Sequence, residues 1–359
     1  MKTLFRSLIL IFFLCLWVFG SHPQNSPIPS ETGSRLPLLI TSQQSTSGSE
    51  TPSIERLKAE IARFEKETQG SVGVAAIHLE SGQSFTYNKD IRYPMASTFK
   101  IPIAVKLLSL VEKGEINLSD MIEIKKSDLH PGSGTLSRLL DDPGVILSVQ
   151  NLLELMLLIS DNSATDVCLN IAGGSESVTQ KMRELGISDM DINRPTHVLI
   201  SHFLGITSAK EEEPFSEQEF MNQLKQMTKE EREQAAESFD QDMRDTSSPL
   251  AMAKLLEKIW NREILNEKNS DYLLDIMRRC ETGEARIKGI LPDKTKVYHK
   301  TGTIGGTTND VGIIELPADA GHVVAVVFIK EAPVDTEQSE DVIAQIARTL
   351  YDYFLFTTE

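Results

Sequence analysis

The chain has 359 residues, of which 40% are hydrophobic and 25% charged. That ordinary globular composition excludes disordered, collagen-like and coiled-coil classes. Thirty-six basic against 52 acidic residues leave a formal charge of −16, which argues against a nucleic-acid binder, because such proteins carry basic patches. Three cysteines without CxxC or zinc-finger spacing are too few for a disulfide scaffold and offer no motif-type metal site.

Lys2 and Arg6 precede Ser7–Phe19, a 13-residue, almost wholly apolar run that ends at Gly20. A bilayer span needs about 20 apolar residues, so this pattern predicts a secretory leader, residues 1–20, and an exported protein, periplasmic or secreted. An uncleaved N-terminal anchor stays open, whereas lipidation at Cys15 is disfavoured by the bulky Leu14 before it. Residues 21–52 follow as a predicted flexible tether, since Ser21–Glu50 holds 8 Ser, 4 Pro and 3 Thr and has little apolar surface to bury. Beyond it only Cys168 and Cys280 remain, and the sequence leaves open whether they pair or stay free thiols.

The folded part is predicted to run over 53–357. Ile54, Leu57, Ile61 and Phe64 recur at helical spacing until Gly70, and Ser71–Leu79 then reads as a strand. A Ser81-Gly82 turn leads to a second strand through Phe85 and Tyr87. Phe99–Val111 and Val149–Ile159 are apolar nearly all round, which predicts buried helices. Strands are predicted at Val297–Thr301, Asp310–Leu316 and Val323–Ile329, then a last helix over Gln338–Phe354. Strands at both ends with helices between them predict an α+β fold, one sheet built from both termini with an all-helical lobe, about 92–250, inserted. Within that lobe Ala209–Asp245 carries 12 acidic and 5 basic residues. Capping signals at Ser216 and Thr228 make it an excursion of two short, solvated helices.

Three short patterns occur in order: Ser97-Thr98-Phe99-Lys100, Ser160-Asp161-Asn162 and Lys300-Thr301-Gly302. Each alone is weak, but together in order they arise by chance in roughly one chain in a hundred or fewer. They resemble the signature of class A β-lactamases and penicillin-binding proteins. Ser160–Thr165 (SDNSAT), Asp245–Ala253 (DTSSPLAMA), Glu281–Pro292 (ETGEARIKGILP) and His299–Thr303 (HKTGT) extend the resemblance over about Ser53–Phe356, and SDN tilts it to class A. The resemblance implies a three-layer α/β/α sandwich carrying the helical lobe.

It also implies roles. Ser97 is the nucleophile and Lys100, three residues on and on the same helix face, its base. Ser160 relays a proton to the lactam nitrogen, and Asn162 binds the substrate's side-chain carbonyl and Lys100. Lys300 and Thr301 suit the carboxylate shared by β-lactams and D-Ala-D-Ala peptides. The N–H groups of Ser97 and Thr303 make the oxyanion hole, and Gly302 allows close approach of the strand edge. No cofactor and no metal are expected: His197 and His202 lie five apart without a third ligand in motif spacing. His299 reads as a strand residue and Asp161 as a structural one. The expected partner is a small β-lactam or D-Ala-D-Ala peptide, with no nucleic acid, no stable membrane partner and no reason for an oligomer.

The match departs in three places. Class A enzymes activate the deacylating water with a glutamate two residues beyond an arginine, yet Arg194-Pro195-Thr196 puts a threonine there, which cannot serve as a carboxylate base. Glu213-Pro214 offers a realigned alternative. Ser160 and Lys300 are 140 residues apart, with Ala209–Asp245 as the excess, and after Gly302 the arginine that many class A enzymes use for the substrate carboxylate is missing. The expectation is therefore a serine β-lactamase acting through a Ser97 acyl-enzyme. Its rivals are a D-alanyl-D-alanine peptidase and a binder that acylates without release.

Overall fold

The computed structural model describes residues 52–358; the predicted leader and nearly all of the tether lie outside them. Five antiparallel strands form the sheet, in the order Ser84–Tyr87, Ser71–His78, His322–Lys330, Thr307–Glu315, Val297–Ile304. The central strand shows why both faces must be covered. Val323, Ala325, Val327 and Ile329 join one apolar cluster while Val324, Val326 and Phe328 join the other, as strand alternation requires.

Helices Pro52–Thr68 and Thr336–Thr357 cover the first face, burying Leu57, Ile61 and Phe64 and, from the second helix, Ile346, Leu350 and Phe354. On the second face Lys100–Glu112, Val149–Leu158, Pro249–Trp260 and Glu267–Arg278 share one larger cluster. The result is an α/β/α sandwich whose sheet comes from the two ends of the chain. Among the described residues no helix is long and apolar enough to cross a membrane.

Two boundaries move from the sequence expectation. Val297–Ile304 and Thr307–Glu315 are longer than predicted and pair continuously from Val297–Ile314 to Ile304–Thr307, closed by Gly305-Gly306. Gly305 has φ +51°, the left-handed backbone that a two-residue hairpin needs. Ser97 lies in a 3₁₀ turn, Ala96–Phe99, that runs directly into the Lys100–Glu112 helix. Pro102 falls in that helix's first turn, where its missing N–H costs little.

Candidate active site

The three motifs converge from separate elements. The Ala96–Phe99 turn brings Ser97 and Lys100, and the loop ahead of helix Asn162–Ile171 brings Ser160 and Asn162. The edge strand Val297–Ile304 brings Lys300, Thr301, Gly302 and Thr303. An edge strand leaves every second backbone group unpaired, and here that edge lies against the nucleophile turn. A methyl group built on Gly302 would fall 2.6 Å from the Met95 carbonyl and 3.0 Å from the Ser97 N–H. Only glycine lets the two backbones come this close.

Lys100 is fully buried and donates to Ser160 O at 2.7 Å, Ser160 Oγ at 3.0 Å and Asn162 Oδ1 at 2.9 Å. Burial, reinforced by the charge of Lys300, pushes its ammonium well below the usual lysine range. Lys300 is equally buried and donates to the Thr301 carbonyl at 2.9 Å. Burial lowers it to about 8. Two non-glycine residues here hold left-handed backbone, Ala96 at φ +45° and Ser160 at φ +59°. Each costs about 1–3 kcal/mol, a cost that rigid surroundings must offset.

Asp161 is structural, as read from the sequence. Its carboxylate caps helix Asn162–Ile171 at Ala164 N and accepts from Thr135 N and Leu136 N. His299 is wholly buried in the sheet with Nδ1 2.9 Å from Asp310 Oδ1. Asn309 donates to the carbonyls of Pro94 and Met95, at 2.8 and 3.0 Å, and so holds the turn that presents Ser97. Cys168 and Cys280 are both free and buried.

Two residues were missed in the sequence reading. Ser133 donates to Ser160 O at 2.7 Å and to Asn162 Oδ1 at 3.2 Å, a second support for the loop that meets Lys100. Arg286 is the second, and it arrives from before the edge strand; the stretch after Gly302 holds no arginine near the hairpin. Its guanidinium donates to Gly302 O at 3.1 Å, Asn309 O at 2.8 Å and Thr303 Oγ1 at 2.7 Å, and pairs with Glu340 at 2.9 Å. A permanent positive charge thus backs Thr303. The local signal was a charged residue between Ala285 and Ile287; its partners lie 16 to 54 residues away, beyond any local pattern.

The opposite wall is helix Thr196–Phe203. Its neck is clasped by Arg194 Nε on Asp245 Oδ2 at 2.5 Å, with Arg194 Nη1 on Asp242 at 2.9 Å. This helix and the excursion after it therefore leave and return at one buried ion pair. Helix spacing puts Thr196, Ile200 and Phe203 on one face. Thr196 N donates to Asp166 Oδ1 at 2.6 Å, one turn along from Asn162. Ile200 and Asn162 both border Gly132, where an added methyl group would meet Asn162 Nδ2 at 2.3 Å and Ile200 Cδ1 at 3.4 Å. Phe203 abuts Gly305 of the hairpin, its ring 2.7 Å from where a Cβ would stand. No carboxylate lies on this stripe, and the Thr196 hydroxyl is buried without a protein partner. Glu213 is exposed and pairs with Lys210 at 3.3 Å. The excursion itself forms helices Glu217–Gln226 and Lys229–Asp240, with a full capping box at Thr228 and Glu231.

A nucleophile turn, a buried lysine wired to an SDN loop and a cationic strand edge within an α/β/α sandwich define a serine acyltransferase fold of the penicillin-recognising kind. The match to known proteins is specific: residues 56–354 fit the model of the beta-lactamase enzyme family, and the chain belongs to that family. Beta-lactamase VEB-1 of Pseudomonas aeruginosa is 29% identical over 310 residues, 84% of this chain and 91% of that protein. The extended-spectrum beta-lactamase PER-1 of the same organism is 25% identical, over 83% and 87%. A solved beta-lactamase from Chitinophaga pinensis superposes with a TM-score of 0.69 at 30% identity, covering 83% of this chain and 98% of that one.

Proposed function

We propose that the chain is a class A-type serine β-lactamase that opens the lactam through a Ser97 acyl-enzyme, with release of the acyl group as its slow step. The observation that carries the first half is the buried Lys100 hydrogen-bonded to both Ser160 and Asn162, one turn from Ser97. A neutral Lys100 takes the Ser97 proton as Oγ attacks the lactam carbonyl. The N–H groups of Ser97 and Thr303 hold the oxyanion, each such donor being worth about 3 kcal/mol. Ser160 hands a proton to the departing nitrogen as the C–N bond breaks, which leaves an ester on Ser97. Lys300, Thr301 and Arg286, acting through Thr303, receive the substrate carboxylate. Asn162 receives the side-chain carbonyl.

The second half rests on the Thr196–Ile200–Phe203 stripe. Hydrolysis of the ester needs a base for water, and general-base assistance is typically worth about 10²–10⁴ in rate. With no carboxylate on that face, Lys100 is the remaining base. The same feature favours a second reading, a penicillin binder that acylates and stays acylated. The N-terminal pattern supports export, so we place the reaction outside the cytoplasm.

Intact-protein mass followed over time with one penicillin and one cephalosporin, alongside substrate loss, tests both halves. Steady substrate loss with a detectable Ser97 adduct is the expected result. A stoichiometric adduct that never clears hands the chain to the second reading. Neither adduct nor loss overturns both.

A further inference from the structure

Behind the Thr196–Phe203 helix three side chains from three segments meet. His130 comes from the loop before the SDN motif, Asp166 from helix Asn162–Ile171 and His197 from the first turn of helix Thr196–Phe203. His130 Nε2 and His197 Nδ1 each stand 2.9 Å from the same atom, Asp166 Oδ2. The three atoms all lie within 4.8 Å of one another. The rings are 5.8 Å apart, and Phe215 from the excursion packs its ring against both, at 5.7 and 6.1 Å.

We propose that His130, Asp166 and His197 form a binding site for one first-row divalent transition-metal ion. The arrangement at His130 carries this. Its Nδ1 faces the Pro131 carbonyl at 3.4 Å, which favours the tautomer with the proton on Nδ1 and turns the Nε2 lone pair inward. That Nε2 is buried and not aligned for a hydrogen bond to any protein group, although Asp166 Oδ2 is in contact with it. Asp166 Oδ2 is thus shared by two imidazole nitrogens, and either a proton on Nε2 or a metal ion beside the three atoms satisfies them. Ions of this class hold imidazole nitrogen and carboxylate oxygen at about 2.1 Å, so ligand atoms at right angles stand about 3.0 Å apart. The two separations of 2.9 Å match that octahedral spacing, and a tetrahedral zinc would spread the same atoms to about 3.4 Å. Two imidazoles and one carboxylate form a set that suits zinc, cobalt, nickel or iron(II) and leaves calcium and magnesium poorly served.

An entry path exists. The cluster lines a cavity of about 480 Å³ whose other walls include Glu211, Glu212, Glu213 and Phe215. Acidic residues at the mouth draw cations in, and water or one of these carboxylates can complete the coordination. The bound ion ties the His130–Ser133 loop, which supports Asn162, to the helix that opens the excursion. It adds a second tie to the segment that the Arg194–Asp245 pair clasps. The pairing weighed from the sequence, His197 with His202, is not the one the fold makes, since His202 turns to Arg194 and the Ala209 carbonyl.

The test uses the tag-free full chain, stripped with chelator and titrated with zinc by calorimetry, and X-ray absorption on the zinc-loaded protein. One zinc per chain is expected, with two imidazoles in its shell and a melting temperature above that of the stripped protein. His130→Gln and His197→Gln should each weaken binding at least about tenfold. Absence of stoichiometric binding, fewer than two imidazoles at the metal, or unchanged affinity in a folded His197→Gln variant overturns the site. The absorption measurement decides on the wild-type protein even where a variant fails to fold. If the stripped protein binds no zinc yet melts as the untreated protein does, a proton on His130 fills the place assigned to the ion.

Discussion

Facing each other in the cleft are a wall made of the Ala96–Phe99 turn, the SDN loop and the edge strand, and a wall made of helix Thr196–Phe203. On the first, Lys100, Ser160, Asn162 and Lys300 are buried, whereas Ser97 is half-buried and Thr303 exposed. Lys100 has three acceptors, Asn309 ties the Met95 carbonyl, and Arg286 spans two strands. On the second, the cleft-facing positions are a threonine with an unbonded hydroxyl, an isoleucine and a phenylalanine. The first wall is anchored to the sheet and the buried Lys100–Glu112 helix, where any change disturbs the packing of the core. The second belongs to a segment that runs from Arg194 to Asp245, the Ala209–Asp245 excursion included, and is closed on itself by their ion pair. Chemistry carried by a self-closed excursion can be altered without unfolding the sandwich. On the proposed reading, that difference lets acylation and deacylation be altered separately in one fold.

The largest effect expected separates the walls by rate. Lys100→Met should lower the acylation rate, measured by mass-resolved labelling, about 10³-fold, as loss of a positioned base does. The fold should survive, because methionine fills a buried slot of similar length. A change below tenfold would assign the Ser97 proton to another base.

Next in size is the clasp. Asp245→Asn leaves Arg194 buried beside a neutral partner, and breaking such a pair costs about 3–5 kcal/mol. Asp242, 2.9 Å from Arg194, should hold the loss at the lower end. Urea unfolding measures it. If the comparison holds, acylation of the folded fraction changes far less than stability does; equal loss of both would make the two walls one unit.

Thr196→Glu should raise turnover by about 10², the lower range of general-base assistance, with acylation unchanged. The gain depends on Ile200, whose apolar side chain gives a water no second partner, so Thr196→Glu with Ile200→Asn should exceed Thr196→Glu alone. Failure of both variants to speed loss of the adduct would show that release is limited elsewhere.

What the sequence disclosed follows the same division. The sheet was legible because Ser71–His78 and His322–Lys330 are near-continuous apolar runs, as strands buried on both faces require, and the first wall because its residues sit in compact motifs. The start of Thr307–Glu315 was not, since Thr307-Thr308-Asn309-Asp310 is polar yet buried. Its partners are Pro94, Met95, Ile287 and Ile329, far along the chain. Arg286, Ser133 and the meeting of His130 with Asp166 and His197 were hidden for the same reason. Each is a pairing across the fold, and no local period encodes it. The departure at Thr196 was legible, whereas the replacement of a whole face needed the helix register.

The smallest effect is a pH profile that divides the first wall within itself. Acylation kcat/KM reports groups of the free enzyme. Lys100 acts as a base only when neutral, so the rate rises with pH through its depressed ionisation and is flat above it. Lys300 acts as a cation only when protonated. Burial lowers it to about 8, so attraction for a substrate carboxylate falls as pH rises through about 8. The Arg286 guanidinium behind Thr303 and the Thr301 hydroxyl remain as partners, so the decline should level off at a few-fold rather than continue to zero. A penicillin and its methyl ester distinguish the two limbs. The ester has no carboxylate for Lys300 to hold, so it should show the acid limb and lose the alkaline one. An alkaline limb of equal size with the ester would mean that Lys300 acts on the reacting atoms, and the carboxylate would then rest on Arg286 and Thr301 alone.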